Sequence, residues 1–205
     1  MSLAKIAISP KELELVKNAD WILTKNAVLD KLATLMGQIG NAYREDIQHF
    51  VDLAQRTDIL VSPKVSRGEQ YLGLPYIMLD YPRHFTTENI FAIRSLFWWG
   101  NHCSIHLVLK GQALKDFGPS IDRFLDLQGR RHPGLAHWFI GVNPDPWHHH
   151  FEPDNYQPLN QWPGKSVTEL PFLKLGAKMD LTDWEDWVGF FLKSYKDLLS
   201  MCTEY

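Results

Sequence analysis

The sequence predicts an α+β domain: one antiparallel sheet, with helices from both ends of the chain packed on it. Three observations lead there. Apolar residues in the first quarter recur at helical spacing, with one row at Val28, Leu32, Leu35 and Ile39 and a second at Ile22, Leu29 and Met36. The middle of the chain is a run of β-type segments joined by short turns, which makes antiparallel neighbours of them. A closing segment from Thr182 returns to a helical pattern.

Ser9-Pro10-Lys11-Glu12 starts a short helix to about Lys17, with Ser9 as cap, Pro10 at the first position and Glu12 completing a capping box. A longer helix follows from Asp20; Gly37 and Gly40 weaken its end, and Tyr43, Ile47, Phe50, Val51 and Ala54 carry the stripe on to about residue 56. Ser62-Pro63 and Arg67-Gly68 mark a loop. Leu74–Tyr81 is apolar on both faces, as in a covered strand, with Pro75 tolerated near its start. Ile90–Trp98 and His102–Lys110 read as a hairpin around Trp99-Gly100-Asn101; Phe91–Trp98 also fits a buried helix, and strand is the reading adopted.

Gly118-Pro119-Ser120 is expected to open a helix that Gly129 stops. A second hairpin is expected from His137–Val142 and Trp147–Glu152, joined by Asn143-Pro144-Asp145-Pro146. Residues 153–171 form an ordered loop, Phe172–Met179 a last strand, and Thr182-Asp183-Trp184-Glu185 a capping box for a helix to about Ser200. The chain is thus a single domain over 1–205: a helical segment at about 9–56, a sheet-forming segment at about 70–180 and a closing helix at about 183–200.

Composition narrows the function classes. Twenty-one basic against 24 acidic residues leave a net charge of −3, without the clustered cations that nucleic-acid binding needs; Arg130-Arg131-His132 is too small a cluster to supply them. No window approaches the ~20 apolar residues of a membrane span, and the N-terminal stretch is too short and interrupted for a signal peptide. Cys103 and Cys202 do not make a disulfide framework, so a cytoplasmic setting is expected. Gly-rich phosphate loops, nucleophile elbows, His-Glu-x-x-His and Cys-x-x-Cys are all missing.

Two polar constellations remain. On a pleated strand after Asn101, His102, Ser104 and His106 share one face, while Cys103, Ile105 and Leu107 share the core face. Asp80 and Arg94 fall on neighbouring strands. Structurally they pair to bury a charge. Functionally, Arg94, His102 and His106 would present donors to a small polar or anionic ligand walled by Tyr76, Trp98 and Trp99.

The second constellation lies in Trp147-His148-His149-His150-Phe151-Glu152. With the four-residue turn setting register, His137, His148, His150 and Glu152 face one way and would suit a divalent transition metal, giving a two-His, one-carboxylate site. A solvated strand face explains the same residues without a metal. Asp183, Glu185 and Asp186 read as first-turn acids rather than acid–base catalysts. Trp162, in the Pro-rich loop, is an aromatic placed to plug a pocket or meet a partner.

Leu74-Pro75-Tyr76 through Asp80-Tyr81-Pro82-Arg83, followed by Phe97-Trp98-Trp99-Gly100-Asn101, resembles the signature of a family of bacterial proteins of similar length with no assigned activity. The resemblance covers the middle of the chain and implies a bacterial cytoplasmic setting, with no catalytic residue to carry over. The expected function is small-molecule binding or interaction at a polar pocket on the sheet. A metal-dependent enzyme is the alternative, and a structural or homo-oligomeric module the second alternative.

Overall fold

A computed structural model describes residues 6–128, 133–162 and 165–203. The expected end of the helix at Gly129 and the Arg130-Arg131-His132 cluster lie outside the described residues. Within them, seven strands form one antiparallel sheet in the order β1-β2-β3-β4-β7-β5-β6: β1 Lys64–Tyr71, β2 Leu74–Phe85, β3 Ile90–Trp98, β4 His102–Lys110, β5 Trp138–Gly141, β6 Tyr156–Pro158 and β7 Phe172–Asp180. The helices are α1 Pro10–Lys17, α2 Ala19–Asp46, the single turn α3 Val51–Ala54, α4 Gln112–Gln128 and α5 Trp187–Cys202. The domain is α+β, with helices from both chain ends flanking the sheet. No described helix is long and apolar enough to cross a membrane.

Local chemistry accounts for most boundaries. The capping box on α1 forms as expected: Glu12 N–H donates to Ser9 Oγ, and Ser9 N–H donates to Glu12 Oε2 at 2.7 Å. Helix α2 runs through both glycines to Asp46. Gly40 lets it sit close to the sheet, since a Cβ there would lie 3.1 Å from Leu79 Cδ1 and 3.1 Å from Pro63 Cβ. The β3–β4 hairpin forms over the residues expected, with Trp98 opposite His102 and Arg94 opposite His106.

Six expectations need correction. Residues 153–171, expected as loop, contain strand β6, and the helical stripe expected to reach about residue 56 breaks after Asp46 into a 3₁₀ turn at Ile47–His49 and the single turn α3. Lys64–Tyr71, expected as loop, is edge strand β1, paired along β2 with Lys64 opposite Asp80. Helix α4 starts at Gln112, six residues before Gly118, and holds Pro119 in its interior; Pro119 lies on the solvent side, where water can take the carbonyl its missing N–H leaves free. Asp180, not Thr182, caps the 3₁₀ turn before α5: Thr182 N–H donates to Asp180 Oδ1 at 2.9 Å, and the Thr182 capping box does not form. The second hairpin also does not form. Its first strand exists as β5, but β5 is flanked by β6 and β7, so no edge is left for residues 147–152, which run as coil.

The two faces of the sheet differ completely. One carries the alternating core residues Cys103, Ile105, Leu107 and Leu109 of β4 and is covered by α2, α4 and α5. There the Tyr43 and Tyr195 rings stack at 3.7 Å, and Tyr43 Oη is within hydrogen-bond distance of Ser95 Oγ at 2.9 Å. Trp162 packs at the edge of this core. The other face carries Asp80, Arg94, His102, Ser104, His106 and Lys174.

Candidate functional site

That polar face is roofed by the segment 142–155, a strap whose base closes where Val142 N–H donates to Asn155 O at 2.9 Å. Asx-type bonds shape its start: Asn143 Oδ1 accepts from Asp145 N–H, and Asp145 Oδ1 accepts from Trp147 N–H. Its apex is held from the sheet. His149 N–H donates to Tyr71 Oη at 2.6 Å, while Lys174 Nζ donates to His148 O at 2.5 Å and to Asn155 Oδ1 at 2.9 Å. The Phe151 ring stacks on Tyr156 at 4.5 Å and meets His102 at 5.2 Å.

Beneath the strap lies a buried polar cluster. Arg94 clasps Asp80 with a two-point fork, Nε to Oδ1 at 2.7 Å and Nη2 to Oδ2 at 3.0 Å. Arg94 Nη1 donates to His149 Nε2 at 3.2 Å. A guanidinium only donates, so His149 accepts through Nε2 and holds its proton on Nδ1, which is buried without a partner among the described residues. The His106 ring lies 4.7 Å from that of His149; its Nε2 contacts Ser104 Oγ at 2.9 Å and its Nδ1 contacts Tyr156 Oη at 2.7 Å. Gly176 makes room for this last pair, since a Cβ there would come within 2.9 Å of Tyr156 Oη and 3.1 Å of His106 Nδ1.

Burial dominates the electrostatics. Both His106 and His149 are held well below the ordinary imidazole pKa, first by desolvation and then by neighbouring cationic groups. The His102 imidazole is lowered to about 4 by burial and by Lys178, and the Lys174 ammonium, 1% exposed, is lowered to about 7 by burial. Neutral imidazoles therefore fill the space between Arg94 and Lys174.

At the strap's edge the cluster opens into a cleft of about 360 Å³. Lys64, Arg83 and Arg94 line it against a single carboxylate, Asp80, with Phe85 and Trp147 as aromatic wall. A one-residue irregularity between Asp80 and Arg83 is what brings Arg83 and Phe85 to this face: Asp80 opposes Arg94, yet Arg83 opposes Ala92. Arg94 lies 5.0 Å over the Trp147 ring and 6.0 Å from the Phe85 centroid, and those two rings meet at 5.6 Å. Three of the five guanidinium donors are used by Asp80 and His149, which leaves two.

Of the residues the sequence singles out for ligand binding, Asp80, Arg94, Trp98, His102 and His106 do share one face. Asp80 and Arg94 border the cleft; His102 and His106 are enclosed under the strap; Trp98 contacts the His102 ring at 5.5 Å. Tyr76 lies opposite Trp98, whereas Trp99 belongs to the helix side, against Phe97.

The metal set is not assembled. His137 sits in a groove against α5 with Asp186 and Lys193. His148 and His150 are 5.4 Å apart by ring centroid, but each faces an exposed aspartate, Asp145 at 3.5 Å and Asp154 at 3.3 Å. Glu152 is exposed, and among the described residues no three His, Cys, Asp or Glu side chains are placed to hold a metal ion. The set depended on a hairpin that the sheet's own pairing displaces.

Sequence reasoning missed Lys174, His149 and Lys64. Lys174 had a signal, a lone cation in the apolar run Phe172–Ala177; the other two had none, because they are placed by the strap and by the overlooked edge strand. Neither the protein-family models, the curated proteins nor the solved structures gave a match to this chain.

Proposed function

We propose that the protein binds a small anionic ligand in the cleft between β1, β2, β3 and the strap. What supports this is the charge balance of the lining: Lys64, Arg83 and Arg94 face one carboxylate that is already engaged. Asp80 holds the Arg94 plane fixed, so the two remaining N–H groups are set out for a carboxylate or phosphate oxygen without loss of rotamer freedom. Lys64 makes no hydrogen bond or ion pair among the described residues and supplies a second charge from the rim. Trp147 and Phe85 give an apolar wall against which the body of the ligand would lie.

The test is calorimetric titration of the purified protein with inorganic phosphate and small mono- and dicarboxylates, after a thermal-shift screen of the same panel. Lys64→Glu, at an exposed position, is expected to weaken binding at least tenfold while leaving the melting temperature within about 2 °C. A panel without any binder, or an affinity unchanged in Lys64→Glu, overturns the reading.

A further inference from the structure

The N-terminal arm stands apart from the rest of the molecule. Helix α1 buries none of its eight residues, and no residue of α2 before Leu29 is buried. An isolated helix this short is marginal in water, and this one exposes Leu13, Leu15 and Val16. The first turn of α2 adds Trp21, Ile22 and Leu23, all more than a third exposed. Such a concentration of exposed apolar side chains needs a cover.

The same helix walls an apolar groove of about 550 Å³ a turn or two further on. Val28, Lys31 and Leu35 form one side, and Trp99, Trp184 and Trp187 the other, with Trp184 65% exposed. Trp21, Val28 and Leu35 follow one another at seven-residue spacing, so Trp21 and the groove belong to one continuous stripe of α2. Asp20 and Lys31, eleven residues apart, flank that stripe on one side, and neither makes a hydrogen bond or ion pair among the described residues.

We propose that a second copy of this chain covers both, the two α2 helices packing antiparallel about a two-fold axis near residues 25 and 26. In an antiparallel pair, residues whose numbers sum to about 51 meet. That sets Lys31 of each copy opposite Asp20 of the other and brings each Trp21 onto the other's Val28 and Leu32. A patch next to its own complement on one helix is what an isologous interface requires. The arm of each copy then occupies the groove of the other, and both unpartnered charges are matched. This reciprocity of shape and sign selects a second copy as the occupant, and the surface involved is separate from the cleft on the opposite face of the sheet.

Analytical ultracentrifugation and light scattering of the full chain, from 1 to 100 μM, test it. The wild type is expected to be a dimer, and Asp20→Lys and Lys31→Asp each to raise the dimer dissociation constant about tenfold, since the symmetric contact is lost twice. The double variant is expected to return to within about threefold of wild type. Trp21→Glu is expected to give monomer with unchanged far-UV circular dichroism, which separates dissociation from unfolding. A wild type monomeric at 100 μM overturns the proposal. So does a dimer indifferent to Trp21→Glu, or one that the double charge reversal fails to rescue.

Discussion

Strand β4 shows two ways of covering a sheet within nine residues. Its odd-numbered side chains, Cys103 to Leu109, lie beneath α4 and α5 in the apolar core. Its even-numbered ones, His102, Ser104 and His106, are equally buried, yet their roof is irregular chain held by hydrogen bonds. Helices satisfy their own backbone, so they can cover apolar surface without help. A strap must find partners for its peptide groups: the sheet beneath supplies Tyr71 and Lys174, and the strap's own Asn155 supplies a third. The polar face is therefore the structural complement of its coil cover as well as the setting for the cleft.

The largest effect that separates the two faces is expected on the helix side. Ile105→Ala removes a fully buried side chain and should cost about 3–4 kcal/mol by urea denaturation, with no change in the cost between pH 5 and 8. A cost that varied with pH would mean that the faces are coupled.

Next comes a pH effect confined to the strap side. The His102 imidazole titrates near 4 when folded, under burial and the Lys178 charge, with His150 also nearby, against about 6.5 in an unfolded chain. Above pH 6.5 both states are neutral and the full stability is present. As pH falls from 6.5 to 4, the unfolded chain takes a proton that the fold refuses, so stability drops by about 2–3 kcal/mol from this group alone. His106 and His149 add to the loss in the same direction. Urea midpoints measured across pH 4–7 check this, and His102→Phe should flatten the curve; a flat wild-type profile would contradict buried neutral imidazoles.

The smallest effect comes from two tyrosine hydroxyls. Tyr156→Phe strands His106 Nδ1 and should cost about 1–2 kcal/mol, whereas Tyr195 Oη is buried without a partner among the described residues, so Tyr195→Phe should change stability by less than about 0.5 kcal/mol. Equal costs in thermal denaturation would erase the distinction drawn between the faces.

These contrasts also mark what the sequence made legible. Alternation along His102–Lys110 placed both faces of β4, and a cation and a carboxylate on adjacent strands foretold the Asp80–Arg94 pair. Strand β1 was not legible because Lys64–Tyr71 is an edge with polar residues on both sides and Gly68 within it. The strap was misread because Trp-His-His-His-Phe-Glu alternates as a strand does. What decides its path are contacts such as Tyr71 with His149, 78 residues apart, which no local pattern encodes. Arg83 and Phe85 reach the cleft only through an extra residue in β2, which period-two counting does not reveal.

The three consecutive imidazoles are thus not a unit. The first lends the sheet only its carbonyl, the second its buried ring, and the third a carbonyl taken by Asn155 Nδ2 at 2.5 Å. Position 148 is therefore free to change identity: His148→Cys would carry a spin label or fluorophore on the roof of the site while the main-chain anchor beneath it stays in place, giving a reporter of whether the roof moves.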